Sequence, residues 1–267
     1  KAAKAKAAKG EPPPKIDARH EPAKDEPAQG EPAKPEPAAD YSNYRMEVHA
    51  RDHLALLDAL GIEKCHVYGH STGGIIISHM LTMAPERFSK VLMLDPVSPL
   101  GLQLASGQVG VLTAMKTDSD VCFAGLASAA PTLFRPETLV AGQMPQFAEA
   151  TGNAQRELFQ FIIDRTRVLS DGIWFGTPHN LGLEWESGSL AKRMPEMTHE
   201  HLILYGKMDY WIPREHMDVM AQKLPNARLE VFPYVGHSMN LEQPLLFARV
   251  FGNRSDACKA ANLDGTG

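Results

Sequence analysis

The side chains with the clearest chemical potential lie in three short stretches. Ser71 sits in Gly69-His70-Ser71-Thr72-Gly73-Gly74, a Gly-x-Ser-x-Gly spacing that suits a hydroxyl held on a sharp strand-to-helix turn. Neighbours crowd such a turn, so the positions two before and two after the serine are expected to be small. A helix that starts there offers free N–H groups and its positive end to an oxyanion beside the serine. The implied chemistry is nucleophilic attack on a carbonyl, with the Thr72 N–H as an oxyanion donor. Two further stretches are Gly206-Lys207-Met208-Asp209-Tyr210-Trp211-Ile212-Pro213 and Pro233-Tyr234-Val235-Gly236-His237-Ser238. An aspartate and a histidine each fall just past a strand-like run.

The elements that must position these residues can be read from apolar patterning. Cys65–Tyr68 reads as the strand before the serine turn, and Thr72–Ala84 as a helix closed by Pro85. Lys90–Asp95 reads as a second strand, apolar enough to be covered on both faces. His201–Gly206 and Arg228–Phe232 read as strands, with helices at Tyr44–Leu60, Arg214–Leu224 and Glu242–Phe251. Gly61 is placed to end the first of these helices. Between Pro96 and Met197 the alternation stops, and helices are expected at 112–127, 136–150 and 155–169. Met115, Met144, Phe123, Phe134, Phe147, Phe159 and Phe161 are spread through them, either as plain core or as the lining of an apolar pocket. In a parallel sheet the C-terminal strand ends share one edge, where sites collect. Ser71, Asp209 and His237 would meet there.

Composition limits the possibilities further. The chain has 267 residues, 43% of them hydrophobic, enough to bury a full core. Its net charge of −5 gives no reason to expect nucleic acid as a partner. No apolar run is long enough for a membrane span, and no secretory leader is read at the start. Cys65, Cys122 and Cys258 are odd in number and scattered, which argues against a disulfide framework and for a reducing, intracellular compartment, cytoplasm or organelle interior. No cofactor or metal is called for. Residues 1–40 carry a recurring Glu-Pro-Ala register and almost no apolar surface, so a solvated tether or recognition tail is expected.

The region from Tyr41 to about Phe251 resembles the α/β-hydrolase superfamily, on the Gly69-to-Gly74 turn, Gly206-x-x-Asp209-x-x-x-Pro213, Gly236-His237, and the chain order serine, aspartate, histidine. The resemblance implies an α/β fold, a mostly parallel sheet with helices on both faces and an inserted helical cap. Its segments would be a tail (1–40), a first part of the core (41–97), the cap (98–197), a second part of the core (198–252) and a flexible C-terminal tail (253–267). It also implies Ser71 as nucleophile, His237 as general base and acid, and Asp209 as the carboxylate that orients His237. Asp95 is the alternative acid, since some members place it after that strand. His66, His70 and His79 compete with His237 only by count, and His70 is expected to point away from Ser71 in a structural role.

The superfamily's usual opening strands, and the loop that supplies a second oxyanion donor, have no counterpart in residues 1–40. The Cys65–Tyr68 strand is therefore expected to form a sheet edge, covered by a protein partner or a second copy. The first functional expectation is a serine hydrolase of carboxylic esters, thioesters or lactones, acting on a small apolar acyl substrate. Its alternative is a weakly active or non-catalytic subunit of an assembly. Carbon–carbon bond hydrolysis or perhydrolysis on the same fold is a third reading.

Overall fold

The computed structural model describes residues 40–259. The tether expected over 1–40 and the end of the C-terminal tail lie almost wholly outside them. Four strands form one sheet: β1 (Cys65–His70), β2 (Phe88–Leu94), β3 (Glu200–Gly206) and β4 (Ala227–Phe232). They pair in the order β1-β2-β3-β4, every pair parallel. Burial follows position in the sheet. From His201 onward β3 is buried throughout, whereas β1 and β4, at the two edges, are only partly buried.

Helices cover both faces. On one side α1 (Met46–Ala59), α2 (Thr72–Met83) and α8 (Arg214–Lys223) contribute Met46, Ile75, Met80, Met217 and Met220 to a core shared with Val91, Met93 and Ile203. On the other, α9 (Met239–Glu242) and α10 (Pro244–Lys259) pack Met239, Leu246 and Phe247 against Leu94, Leu202 and Leu204. Among the described residues β1 has a strand on one side only, as expected. Its Tyr68 ring is met by Phe247 and Phe251 of α10, at centroid separations of 5.6 and 6.2 Å. The last helix runs to Lys259, past residue 253, where the C-terminal tail is expected to begin. Gly61 ends α1 at φ 66°, the left-handed conformation that glycine adopts without strain.

The link from β2 to β3 is the helical insertion: α3 (Ser106–Thr117), α4 (Ser119–Ala129), α5 (Asn153–Arg167), α6 (Thr177–Ser187) and α7 (Ser189–Lys192). Asp118 divides the single helix expected over 112–127, because its carboxylate caps α4 through the N–H groups of Asp120 and Val121. The helix expected over 136–150 does not form. Pro136 opens only a short 3₁₀ turn to Thr138, Gly142 takes φ 79°, and the chain returns so that Phe147 bridges Phe134. Stacking of those two rings at 4.6 Å supplies the tertiary contact that overrides local propensity. Phe123, Phe134, Phe147 and Phe159 pack on one another, so the aromatic set is mostly the cap's own core. Gly172–Gly176, a π-helical turn, was not legible as such; Tyr44 lies so close to Gly172 that any Cβ there would overlap its ring.

Candidate active site

The serine turn joins β1 to α2. Ser71 takes φ 55° and ψ −122°, a conformation costing about 1–3 kcal/mol for a residue with a Cβ. Backbone bonds hold it there: its N–H donates to the Leu94 carbonyl at 3.1 Å, and its carbonyl accepts from Gly74 and Val97 at 2.9 and 2.8 Å. The need for small neighbours holds in a different pattern from the one expected. A Cβ on Gly69 would lie 2.6 Å from Ile77 Cδ1 and 2.8 Å from the Gly73 backbone; one on Gly74 would lie 2.3 Å from Pro96 Cβ. A Cβ on Gly73 would meet open space. Thr72 is the first residue of α2, so its N–H has no acceptor one turn back, and it lines a cavity together with Ser71.

Asp209 and His237 come together where β3 and β4 end. His237 Nδ1 lies 2.8 Å from Asp209 Oδ2, and both side chains are buried. The other carboxylate oxygen accepts from the backbone N–H groups of Trp211 and Ile212, at 2.7 and 3.2 Å. The aspartate is thereby fixed by its own loop, and it fixes the histidine. The imidazole lies between two rings, Trp211 at 5.8 Å and 18° and His70 at 4.8 Å and 39°. Among the described residues Ser71 Oγ makes no hydrogen bond, which leaves it presented to the cavity.

His70 is thus closer to the site than its expected structural role suggested. Its Nε2 lies 2.7 Å from the His237 carbonyl. Burial, then the neighbouring His237, lowers its pKa to about 4, so at neutral pH the ring is uncharged and donates Nε2–H to that carbonyl. His201, buried in β3, is likewise lowered to about 4, chiefly by burial. Each gains a proton more readily unfolded than folded, so stability is full above about pH 6.5 and is lost as pH falls toward 4. Denaturation measured from pH 7 to pH 4 should show these histidines taking away a few kcal/mol, against the opposite trend of the buried carboxyls Asp95 and Glu242, because each tenfold difference in proton affinity between folded and unfolded protein is worth about 1.4 kcal/mol. His70→Asn should flatten that decline. His66 and His79 lie elsewhere: His66 accepts from the Lys90 N–H, and His79 bonds Glu184 of α6 at 2.6 Å.

Glu242 belongs to the site although the sequence did not single it out. Its buried carboxylate accepts from Thr132 N–H and Oγ–H at 3.1 and 2.7 Å, from Gly236 N–H at 2.8 Å and from Ser238 N–H at 3.3 Å. It ties the loop on both sides of His237 to the cap turn Pro131–Leu133. Burial raises its pKa while those same hydrogen bonds oppose the shift. The only available signal was a carboxylate set between Leu241 and Pro244, five residues after the histidine.

Asp95, the alternative acid, stands beside this pair but not on the imidazole. Its Oδ1 accepts from Gly206 N–H at 2.8 Å, and Oδ2 is buried without a hydrogen-bond partner. Ligand atoms of Asp95, Asp209 and His237 lie within 4.8 Å of one another, the one grouping among the described residues that could hold a metal. Its Asp209 and His237 atoms are already hydrogen-bonded to each other.

The cavity measures about 610 Å³. Leu102, Leu112, Met115, Trp174, Leu181 and Trp211 supply apolar wall, Gln108, Ser128, Thr166, Thr177 and Tyr210 add polar groups to those of Ser71 and Thr72, and no aspartate, glutamate, lysine, arginine or histidine is among its described lining residues. Met115 is thus both core and wall, whereas Phe123, Phe134, Phe147 and Phe159 are core and Phe161 is exposed. Trp211 is held by its Nε1–H on Ser128 Oγ at 2.9 Å, linking the aspartate loop to the cap.

Residues 24–244 match the family model for the alpha/beta hydrolase fold. A hydrolase of Comamonas testosteroni, named for 2-hydroxy-6-oxononadienedioate and 2-hydroxy-6-oxononatrienedioate, is 26% identical over 208 residues, 76% of this chain and 66% of its own length. An esterase of Escherichia coli K12 is 24% identical over 195 residues, covering 73% and 68%. Among solved structures, an esterase from Exiguobacterium antarcticum superposes with a TM-score of 0.60 at 22% identity, covering 81% of this chain and 75% of that one. The chain belongs to the α/β-hydrolase family. It spans just under two thirds of the length of the first curated relatives it matches. No described helix is long and apolar enough to cross a membrane.

Proposed function

We propose that this chain is a serine hydrolase of carboxylic ester, thioester or lactone bonds whose acyl group is uncharged and apolar. The observation that carries the reading is the buried Asp209–His237 pair at the strand ends, with Ser71 on its strained turn opening into an apolar cavity. Ser71 Oγ attacks the carbonyl carbon while His237 Nε2 takes its proton. Asp209 holds Nδ1–H and stabilises the imidazolium. Thr72 N–H donates to the oxyanion. His237 then returns the proton to the leaving alcohol or thiol, and in the second half activates the water that releases the acid.

The relatives include hydrolases named for dioates and dienoates, which makes carbon–carbon bond hydrolysis the rival chemistry. The cavity argues against it. Such a substrate brings a carboxylate, and burying it without a partner costs several kcal/mol. Of the basic residues next to wall positions, Lys116 is held on the Leu169 carbonyl and Asp171, at 2.6 and 2.8 Å, and Arg167, whose buried Nε has no hydrogen-bond partner, lies outside the lining. A non-catalytic subunit has no comparable observation behind it, since all three side chains keep the chemistry the reaction requires. The test is a panel of p-nitrophenyl esters. Neutral acyl chains should be turned over with kcat/KM at least about 100-fold above matched acyl chains ending in a carboxylate, as about 3 kcal/mol of desolvation implies. Equal rates, or cleavage of a dienoate with no ester turnover, would overturn it.

A further inference from the structure

Asp95 closes β2 in a conformation that side chains seldom adopt, φ 41°, and its side chain has no solvent exposure. Every group facing it is either neutral or acidic. Gly206 N–H donates to Oδ1; Asp209 and Glu242 bring carboxylates near, and Tyr68 and Tyr205 bring phenols. His237 is close, but its Nδ1 is taken by Asp209. No lysine or arginine is in the set. An ionised Asp95 would therefore be a buried charge with one hydrogen bond, two like neighbours and no counter-ion, an arrangement that proteins avoid. Its orphaned Oδ2 is explained at once if that oxygen carries a proton, for then it needs an acceptor, and the Asp209 carboxylate supplies one.

We infer that Asp95 is a neutral carboxylic acid whose Oδ2–H donates to the Asp209 carboxylate, making it a positioning residue behind the Asp209–His237 pair. In this role it leaves a single negative charge acting on the imidazole and adds a hydrogen bond to those Asp209 accepts from its own loop. The titration trend agrees: burial first, then the charges of Asp209 and Glu242, outweigh the Gly206 hydrogen bond and raise the carboxyl to about 9. The inference rests on the reading of Asp209 and His237 as the working pair only for its kinetic arm.

Asp95→Asn and Asp95→Ala test it. Asparagine keeps an acceptor for Gly206 N–H and offers an amide N–H to Asp209, and it tolerates a left-handed backbone. Alanine does neither. Infrared difference spectra of the resting protein at pH 7 should show the carbonyl stretch of a protonated carboxyl in the wild type, absent from Asp95→Asn. The melting temperature of Asp95→Asn minus that of wild type should rise as pH goes from 5 to 8. The reason is linkage: a carboxyl raised above its ordinary 3.8 contributes stability fully at low pH and loses it as pH climbs toward the folded value. In ester turnover Asp95→Asn should exceed Asp95→Ala by about tenfold or more, as one unsatisfied buried group implies. Absence of the infrared band, a pH-independent melting-temperature difference, or Asn no better than Ala would overturn the inference. Failure of the wild type to hydrolyse any ester would refute the proposed function instead, leaving the spectroscopic and stability arms to decide on Asp95.

Discussion

Ser71→Ala should lower ester turnover by on the order of 10⁴-fold or more, about 5–6 kcal/mol in barrier, with little change in folding stability. In the proposed reaction the effect is large because Ser71, which lines the cavity, supplies the attacking hydroxyl, and neither His237 nor Asp209 can form the acyl bond for it. Residual catalysis would come from the Thr72 N–H and from binding in the apolar cavity alone. Stability should hold because the turn is fixed by backbone bonds to Leu94, Gly74 and Val97, none of which alanine removes. Steady-state kinetics together with denaturant titration checks both halves. Turnover within tenfold of wild type would mean that another nucleophile acts.

Glu242→Ala should be the most damaging single change to the frame of the site. The carboxylate accepts from four donors, in the loop on either side of His237 and in the cap turn at Thr132. Alanine leaves them buried and unpaired, at about 1–3 kcal/mol for each one that water cannot reach, or roughly 3–5 kcal/mol in all. The His237 loop would also lose its tie to the cap, so kcat should fall by about 10–100-fold from misplacement of the imidazole. Gln should rescue only part of this, because its amide turns one acceptor into a donor facing other donors. Urea denaturation and kcat of the folded variant measure the two effects. A stability loss under about 1 kcal/mol would refute the clamp.

Much of the frame was legible because its signals are local. The near-continuous apolar runs at Lys90–Asp95 and His201–Gly206 announced buried parallel strands, and Gly61 marked its helix end. Asp209 and His237 could be brought together from topology, since each follows a strand, and Ser71 follows a strand of the same sheet. What escaped depended on distant contacts. Phe147 leaves helical geometry to stack on Phe134, Gly172 is small because Tyr44 lies on it, and Gly74 rather than Gly73 meets Pro96. Glu242 looks like an ordinary helix-start acid until the Thr132 and Gly236 donors surround it. Asp95 and Asp209 both follow strands, so sequence order could not choose between them; the choice is made by which carboxylate reaches His237 Nδ1.

The most direct measurement of the central claim is reaction with a fluorophosphonate, followed by peptide mass spectrometry. The probe needs a nucleophilic hydroxyl activated by a neighbouring base. The proposed function predicts one adduct per chain, on the peptide carrying Ser71, lost in Ser71→Ala and strongly slowed in His237→Ala. An unlabelled Ser71 under conditions that label a known serine esterase, or an adduct on another residue, would contradict it.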